Sequence, residues 1–574
     1  MPSYIFCTFF TLLLPDKIFK LRHFFTIYIV LLFSVSATAQ NFYLKVEGKN
    51  ETETKTIDSI GYNKSHENAK LAKDETDRIV SVLQRRGYFE THISNYSKPN
   101  DSTFLYHLNV GNRTNTLYIY TGKLSENEKE LLNIKKDTIT TTPGEVESFM
   151  NSSIKLLEQK GYSISSLKLT EHTSKGNSLY TTLKLKTDKK RSIDGLAIQG
   201  YDKFPEGIRR NILKQYKGKV FNQNNLERIY KDFNALRFVN QVRYPEILFK
   251  EDSTKVYVYL EKGRPNTFDG FIGFTNDEES NIIFNGYIDI LLNNVLNSGE
   301  KFNLFWKSDG QKQTTFNAAL ELPYIFKSPL GVKGSLKIFK QDSTFQNTST
   351  DLNLGYYFSY NSKLFLGRQT TESVDIQNTN TSTLSDFSNR FWTSTYEFTN
   401  YNIDDFLFPE KTILQLKAGI GTRDSKAGNS NQHFAQINAA YNFYLNKRNI
   451  INLKNQTYYL KSDSYIVSEL FRFGGITSIR GFNENSLQAN LFSAIMSEYR
   501  FVLAQNMYLH SITDYGYYQD ETSDTNNNLL SFGFGFGLLT KTGLFNIIYA
   551  NGSTKGQTIK LSNSIVHISF KTTF

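Results

Sequence analysis

From Phe268 to Phe574 the chain falls into stretches of about ten residues in which apolar and polar side chains alternate, and this pattern limits the fold more than any other feature of the sequence. In IIFNGYIDILLNN, Phe284, Gly286, Ile288, Ile290 and Leu292 share one face, and Asn285, Asp289 and Asn293 share the other. Similar stretches recur at 314–322, 332–339, 413–421, 434–445, 451–460 and 528–539, separated by clusters of Asn, Asp, Gly and Ser. About sixteen candidate strands fit into roughly 307 residues, near 19 residues for each strand with its connection, the spacing of a transmembrane β-barrel. Alternation predicts an apolar band facing lipid and a polar lumen, and closure removes the sheet edges that lipid does not tolerate. A soluble β-sandwich is the competing architecture.

Composition agrees with strands that have one apolar and one polar face. Aromatic residues make up 14% of the chain, with 46 Phe and 35 Tyr against 2 Trp. Mean hydropathy is −0.42, which excludes a helical membrane protein. The net charge is +11, but there is no compact Lys/Arg run and no nucleic-acid motif, so the basic balance reads as a solvated surface and no nucleic-acid partner is expected. The single cysteine, Cys7, lies in an N-terminal leader, which leaves no disulfide framework, thiolate metal site or cysteine nucleophile beyond it. In that leader Lys17, Lys20 and Arg22 precede an apolar run from Phe24 to Val35, followed by Ala37-Thr38-Ala39 and Gln40. This is the layout of a secretory signal peptide over residues 1–39.

The segment between leader and barrel repeats about every 75 residues, the mark of tandem modules. The first unit opens with FYLKVEG (42–48), ends a helical stretch in IVSVLQRRGYF (79–89) and closes with FLYHLNVG (104–111). The second runs from TLYIYTG (116–122) through SIKLLEQKGY (153–162) to SLYTTLKLK (178–186). The third has IDGLAIQG (193–200), two helical stretches with Leu226, Tyr230, Phe233 and Leu236 spaced for one face, and KVYVYLEKG (255–263). Gly87 and Gly161, each followed by Tyr, fit left-handed helix C-caps. A polar stretch at 49–70 reads as an insertion in the first unit. The order strand, helix, helix, strand, strand resembles the POTRA domain, a periplasmic module of outer-membrane assembly and transport proteins. The expected fold is thus α+β, three POTRA-like β-α-α-β-β units at 40–113, 114–188 and 189–265, followed by a 16-stranded antiparallel transmembrane β-barrel at 266–574.

The chain ends in SIVHISFKTTF, with Val566, Ile568, Phe570 and Phe574 on one face. A last strand ending in Phe resembles the outer-membrane targeting signal. Upstream, FRFGGITSIRGFNENS (471–486) forms a glycine-rich loop between the eleventh and twelfth candidate strands. Its Ile479-Arg480-Gly481-Phe482 is similar to the [V/I]-R-G-[F/Y] motif of the outer-membrane protein assembly superfamily (BamA/TamA type). AIMSEYRF (494–501) and SITDYGYY (511–518) resemble that superfamily's next two strands. The resemblance implies that the loop folds into the lumen and that Glu498, Asp514 or both hold Arg480. GxGxG at 533–537 sits within a strand pattern with no helix after it, so it is read as relief of barrel curvature and not as a nucleotide loop.

No nucleophile–base constellation, HExxH, P-loop or metal-ligand spacing is present, so the reading is non-enzymatic, with no cofactor and no metal. The resemblance implies a protein of the cell outer membrane with its N-terminal modules in the periplasm. It would capture unfolded outer-membrane proteins by strand addition and template their insertion at a barrel seam. Implied contacts are those clients, outer-membrane lipid, and an accessory lipoprotein or inner-membrane partner. The alternative is a two-partner-type secretion pore that exports a partner through the lumen. Three modules and no plug helix after the leader favour the assembly branch. A passive porin is disfavoured by the modules and the IRGF loop.

Overall fold

Where each strand's hydrogen bonds go decides the architecture of this chain. The computed structural model describes residues 41–574 apart from 277–281, 310–312, 379–380, 382–383, 403–404, 427 and 555–563. The leader read at 1–39 lies outside the described residues. The chain divides into two compact units, one ending at Lys189 and the other running from Lys190 to Phe574.

The first unit holds two α/β modules. One is built from β1 (Phe42–Gly48), α1 (Glu51–Asp58), β2 (Ser65–His66), α2 (Ala69–Arg85), β3 (His92–Asn100) and β4 (Thr103–Asn109). Next come β5 (Thr116–Tyr120), α3 (Glu126–Leu131), β6 (Thr138–Thr141), α4 (Pro143–Gln159), β7 (Ser166–Lys175) and β8 (Ser178–Lys186). Both sheets follow one plan, β2-β1-β4-β3 and β6-β5-β8-β7, with the first and last strands of each module parallel at the centre. The short strands β2 and β6 add to the expected β-α-α-β-β order. The polar stretch at 49–70 is therefore no insertion. It contains α1, N-capped by Asn50, whose side chain accepts from the Glu53 N–H at 2.9 Å, and the edge strand β2. α1 buries a single residue, Ile57, and so shows almost no apolar stripe. Gly87 and Gly161 adopt φ of 102° and 97° just past α2 and α4, the left-handed closure their spacing predicts.

The second unit begins with a third module: β9 (Gly195–Gln199), α5 (Glu206–Tyr216), α6 (Gln223–Asn234), β10 (Val239–Phe249) and β11 (Thr254–Lys262), with sheet order β10-β11-β9. α6 buries Leu226, Ile229 and Phe233 against Val256, Val258 and Leu260 of β11. Tyr230 leaves that stripe, and its ring packs on Tyr244 of β10 at 5.0 Å.

The barrel follows: β12 (Thr267–Asn276), β13 (Ile282–Asn293), β14 (Lys301–Ser308), β15 (Gln313–Leu322), β16 (Leu330–Gln341), β17 (Phe345–Ser359), β18 (Ser362–Asp375) and β19 (Phe387–Tyr401). It continues through β20 (Glu410–Ser425), β21 (Ser430–Tyr444) and β22 (Asn449–Lys461). A small hairpin, β23 (Phe471–Phe473) and β24 (Leu487–Ala489), interrupts the series. The barrel closes through β25 (Leu491–Ala504), β26 (Met507–Asp520), β27 (Thr525–Leu539), β28 (Gly543–Thr554) and β29 (Ile565–Thr573). Without the hairpin these are sixteen strands in one closed antiparallel sheet. Leu352, Leu366, Trp392, Ile420 and Phe534 stand exposed on the outer face, as a lipid-facing band requires.

The third module is fused to one end of the barrel. Its core continues into Tyr324, Tyr357 and Phe365. Asn294 donates to the Tyr201 hydroxyl (2.9 Å), Gln215 to the Phe358 carbonyl (2.9 Å), and the Arg237 guanidinium stacks 5.1 Å from the Tyr401 ring.

Two expectations follow for the third module. Phe233 is fully buried, so Phe233→Ala should destabilise the module by about 3–5 kcal/mol. Hydrogen exchange should accelerate over 206–262 and stay unchanged in β25 to β28. The Tyr216 hydroxyl donates to Asp232 Oδ2 at 2.6 Å, and burial raises the Asp232 carboxyl above the usual carboxylate range. A raised folded-state pKa stabilises most below the unfolded value and loses that contribution as pH rises. Asp232→Asn should therefore slow exchange in this module at pH 8 and leave it unchanged at pH 3.

Candidate functional site

The IRGF stretch lies on the connection between β22 and β25, the eleventh and twelfth strands of the barrel. β23 and β24 pair at its base through Phe471↔Ala489 and Phe473↔Leu487. Phe473 then stacks on Phe492 of β25 at 3.9 Å, and Phe471 stacks on Tyr458 of β22 at 4.7 Å. Phe492 belongs to the inward face of β25 with Ala494, Met496 and Glu498, so the loop folds into the lumen and not away from it.

At the tip, Arg480 is 3% exposed and meets two carboxylates. Its backbone N–H and its Nε donate to Asp514 Oδ2 at 3.0 and 2.9 Å, and its Nη2 donates to Asp514 Oδ1 at 2.5 Å. Nη1 donates to Glu498 Oε1. Asp514 is fully buried and takes the guanidinium edge in bidentate fashion, the geometry for which an arginine fork suits better than a lysine. Glu498 also accepts from Arg500 Nε at 2.7 Å, and the Arg500 guanidinium lies 4.3 Å from the Phe408 ring. Two arginines and two carboxylates thus meet in one buried cluster.

The other residues of the motif make room. Ile479 is fully buried, and its Cδ1 would lie 3.2 Å from a Cβ placed on Gly516, so the glycine two residues after Asp514 seats Ile479. Gly481 has φ +78°, and a Cβ there would come within 2.4 Å of the Gly552 nitrogen on β28. Phe482 is partly buried in the same apolar cluster. The glycines of β27 have a local purpose: a Cβ on Gly535 or Gly537 would meet the His510 or Tyr508 ring at 2.1 Å.

The loop base carries a second buried charge pair with no counterpart in the sequence reading. Arg423 of β20 is fully buried and donates to Glu469 Oε1 at 2.5 Å and to the Ser464 carbonyl at 3.0 Å. Gln432 of β21 donates to Glu469 Oε2 at 2.7 Å. Arg472 lies 5.5 Å from the Phe345 ring, and Asn347 donates to the Ser468 carbonyl at 2.5 Å. Strand alternation was enough to turn Arg423 and Arg500 inward. Their partners depend on register and on the loop's path. Lys307 and Glu484 form a further ion pair.

Of the C-terminal strand, Val566, Ile568, Phe570 and Phe574 are exposed on the outer face, and the Phe574 N–H bonds the Asn266 carbonyl at 3.0 Å. Among the described residues no group of three or more His, Cys, Asp or Glu side chains is placed to hold a metal ion.

Fold and loop together define a class, a sixteen-stranded barrel of transmembrane type with an arginine loop in its lumen and POTRA-like modules ahead of it. Module type and strand number agree with the α+β modules and sixteen-stranded antiparallel barrel expected from the sequence. No protein-family model and no curated protein matches the sequence. Among solved structures the chain is similar to BamA from Haemophilus ducreyi lacking POTRA domains 1–3, at 13% identity and TM-score 0.46, covering 79% of this chain and 99% of that one. It is similar to CdiB from Escherichia coli at 14% identity and TM-score 0.48, covering 88% and 97%. It is also similar to POTRA domains 3–5 of Haemophilus influenzae BamA at 16% identity and TM-score 0.28, covering 39% and 98%. At these values the likenesses carry no further argument, and the description of the fold stands on strand order and register.

Removing one carboxylate leaves a buried guanidinium short of charge. Asp514→Ala should cost the folded barrel about 3–5 kcal/mol, the range for breaking a buried pair. Glu498→Ala, which strips a partner from both Arg480 and Arg500, should fall in the same range. The check is the temperature at which each detergent-solubilised variant loses its heat-modifiable folded band. An unchanged temperature for both would contradict a buried cluster.

Proposed function

We propose that this chain is an outer-membrane protein of the assembly superfamily that inserts other barrel proteins, with its modules on the periplasmic side. The observation that carries the reading is the seam. β12 and β29 share two residue pairs, Thr267↔Thr573 and Phe268↔Thr572. Every other neighbouring pair in the barrel shares at least eight, as in β13 with β14 and β28 with β29. In hydrocarbon each unpaired backbone group costs several kcal/mol, so a barely zipped seam is a strained edge that gains from pairing with an incoming strand.

The modules support the same reading. β3 and β7 lie at the outer edges of their sheets and are largely exposed, so an extended client segment can add to them through main-chain hydrogen bonds. The short β2 and β6 occupy the opposite edges, leaving one long free edge in each of these modules. In the barrel the Arg480 cluster fixes the loop against β25 and β26, next to the strands that lead to the seam. Insertion then runs from capture at a module edge, to pairing at β12 or β29, to release of the client as its own strands close.

The test is a reconstitution in liposomes, where a urea-unfolded outer-membrane barrel is added and its folding followed by heat-modifiable mobility. Wild type should accelerate folding, and Arg480→Ala should reduce the acceleration by roughly tenfold or more. The pair Phe268→Cys/Thr572→Cys, oxidised across the seam, should block acceleration, and reduction should restore it. If wild type gives no acceleration and the liposomes leak solute, a secretion pore is the better account.

A further inference from the structure

The lumenal tip carries a second charge four residues after Arg480. Glu484 forms an ion pair with Lys307, near the end of β14 that lies away from the third module. Both charges belong to one packed unit. Gly474 and Gly475 adopt φ of +106° and +98°, and a Cβ on them would come within 2.5 Å of the Asn483 carbonyl oxygen and 3.1 Å of the Glu484 Cα. The two arms of the tip therefore close on each other, and Glu484 cannot shift far without moving Arg480.

That tip stands behind the seam. On one side it is held by Glu498 of β25 and Asp514 of β26, and Gly481 presses on Asn551 and Gly552 of β28. On the other side Glu484 reaches β14. Between β28 and β14 the barrel contains β29, the thinly paired seam, β12 and β13. The loop thus spans the seam from within by the short way round. The base of the same loop touches β16 and β17 through Arg472 and Asn347, farther round the wall.

The two ties differ in strength. The side chains of Arg480, Glu498 and Asp514 are 3%, 8% and 0% exposed, whereas those of Lys307 and Glu484 are 37% and 27% exposed. A partly accessible pair is screened by salt and exchanges readily with water, whereas a buried one does neither. We propose that Glu484 and Lys307 are positioning residues that latch the seam. The pair holds β14, and with it β13 and β12, toward β29. It releases when the seam widens to admit a client strand, while Arg480 stays fixed on β25 and β26. This inference rests on the seam reading under Proposed function and adds the residues that set how often the seam opens.

The test reads seam closure without a client. The full-length Phe268→Cys/Thr572→Cys protein is reconstituted in liposomes under limiting oxidant, and the rate of disulfide formation reports how much of the time the seam is closed. Lys307→Glu and Lys307→Gln should each slow crosslinking by about threefold or more, while the heat-modifiable folded band is retained. Lys307→Arg and the swap Lys307→Glu/Glu484→Lys should restore the rate, which a loss of packing alone would not permit. Raising NaCl from about 0.05 to about 0.5 M should slow the parent and leave Lys307→Gln unchanged. Equal rates for Lys307→Gln and the parent, or a swap that fails to rescue, would overturn the latch. Client folding by the same liposomes separates the two proposals. Acceleration with equal crosslinking rates sinks the latch alone, and a latch effect without acceleration sinks the insertion reading alone.

Discussion

A β-sheet in hydrocarbon has no water to satisfy its edges, and this constraint orders the whole barrel unit. Closure by sixteen antiparallel strands satisfies it nearly everywhere. The ladder is long where strands are long, as between β19 and β20, and it thins abruptly at β12 and β29. The last strand pairs fully with β28 along one edge, so the thinning is not a weakness of β29 itself. The deficit sits on one boundary, between the first and last strands, and that boundary is where the chain can change shape at least cost.

The lumen carries the second constraint. Inward positions are largely polar, yet the loop that enters there removes water from some of them, so the buried charges need partners. Three buried arginines find carboxylates, Arg480 with Asp514 and Glu498, Arg500 with Glu498, and Arg423 with Glu469, while Arg472 lies against the Phe339 and Phe345 rings. Such pairs are weak evidence for stability, because desolvation cancels most of the attraction. Their effect is on conformation. A buried arginine with two fixed acceptors has one orientation, so the loop has one register against the wall.

The sequence carried the parts of this that depend on period and composition. Alternation with a period of two fixes which residues of β13 or β29 face lipid, and a count of such stretches reaches sixteen strands because closure leaves few other outcomes. Arg480 was singled out through the resemblance of Ile479-Arg480-Gly481-Phe482 to a known loop motif, not through any period or composition. That both Glu498 and Asp514 hold it was not, because adjacent strands present both to the lumen only in a given register, with Met496 opposite Asp514 and Glu498 opposite Ile512. Helix α1 was hidden because ETETKTID buries only Ile57, too little for a stripe. Strands β2 and β6 are too short to show a period. Lys307 and Glu484 are 177 positions apart, and no local pattern joins them.

The attachments divide the barrel unit mechanically. The third module is tied to the turn after β13 through Asn294, the end of β17 through Phe358, and the end of β19 through Tyr401, and its core takes in Tyr324 and Phe365. All of these lie in the first half of the barrel. The arginine loop is tied most deeply to β20, β25 and β26 in the second half. A force on the module therefore enters the first half, and the loop holds the second. Between the halves lie two boundaries, the long ladder of β19 with β20 and the two residue pairs of the seam. Backbone ladders resist shear in proportion to their length, so relative motion of the halves concentrates at the seam. The partly exposed bond between Lys307 and Glu484 is a side-chain tie placed across it, in addition to the Thr572 hydroxyl, which donates to the Phe268 carbonyl at 2.7 Å.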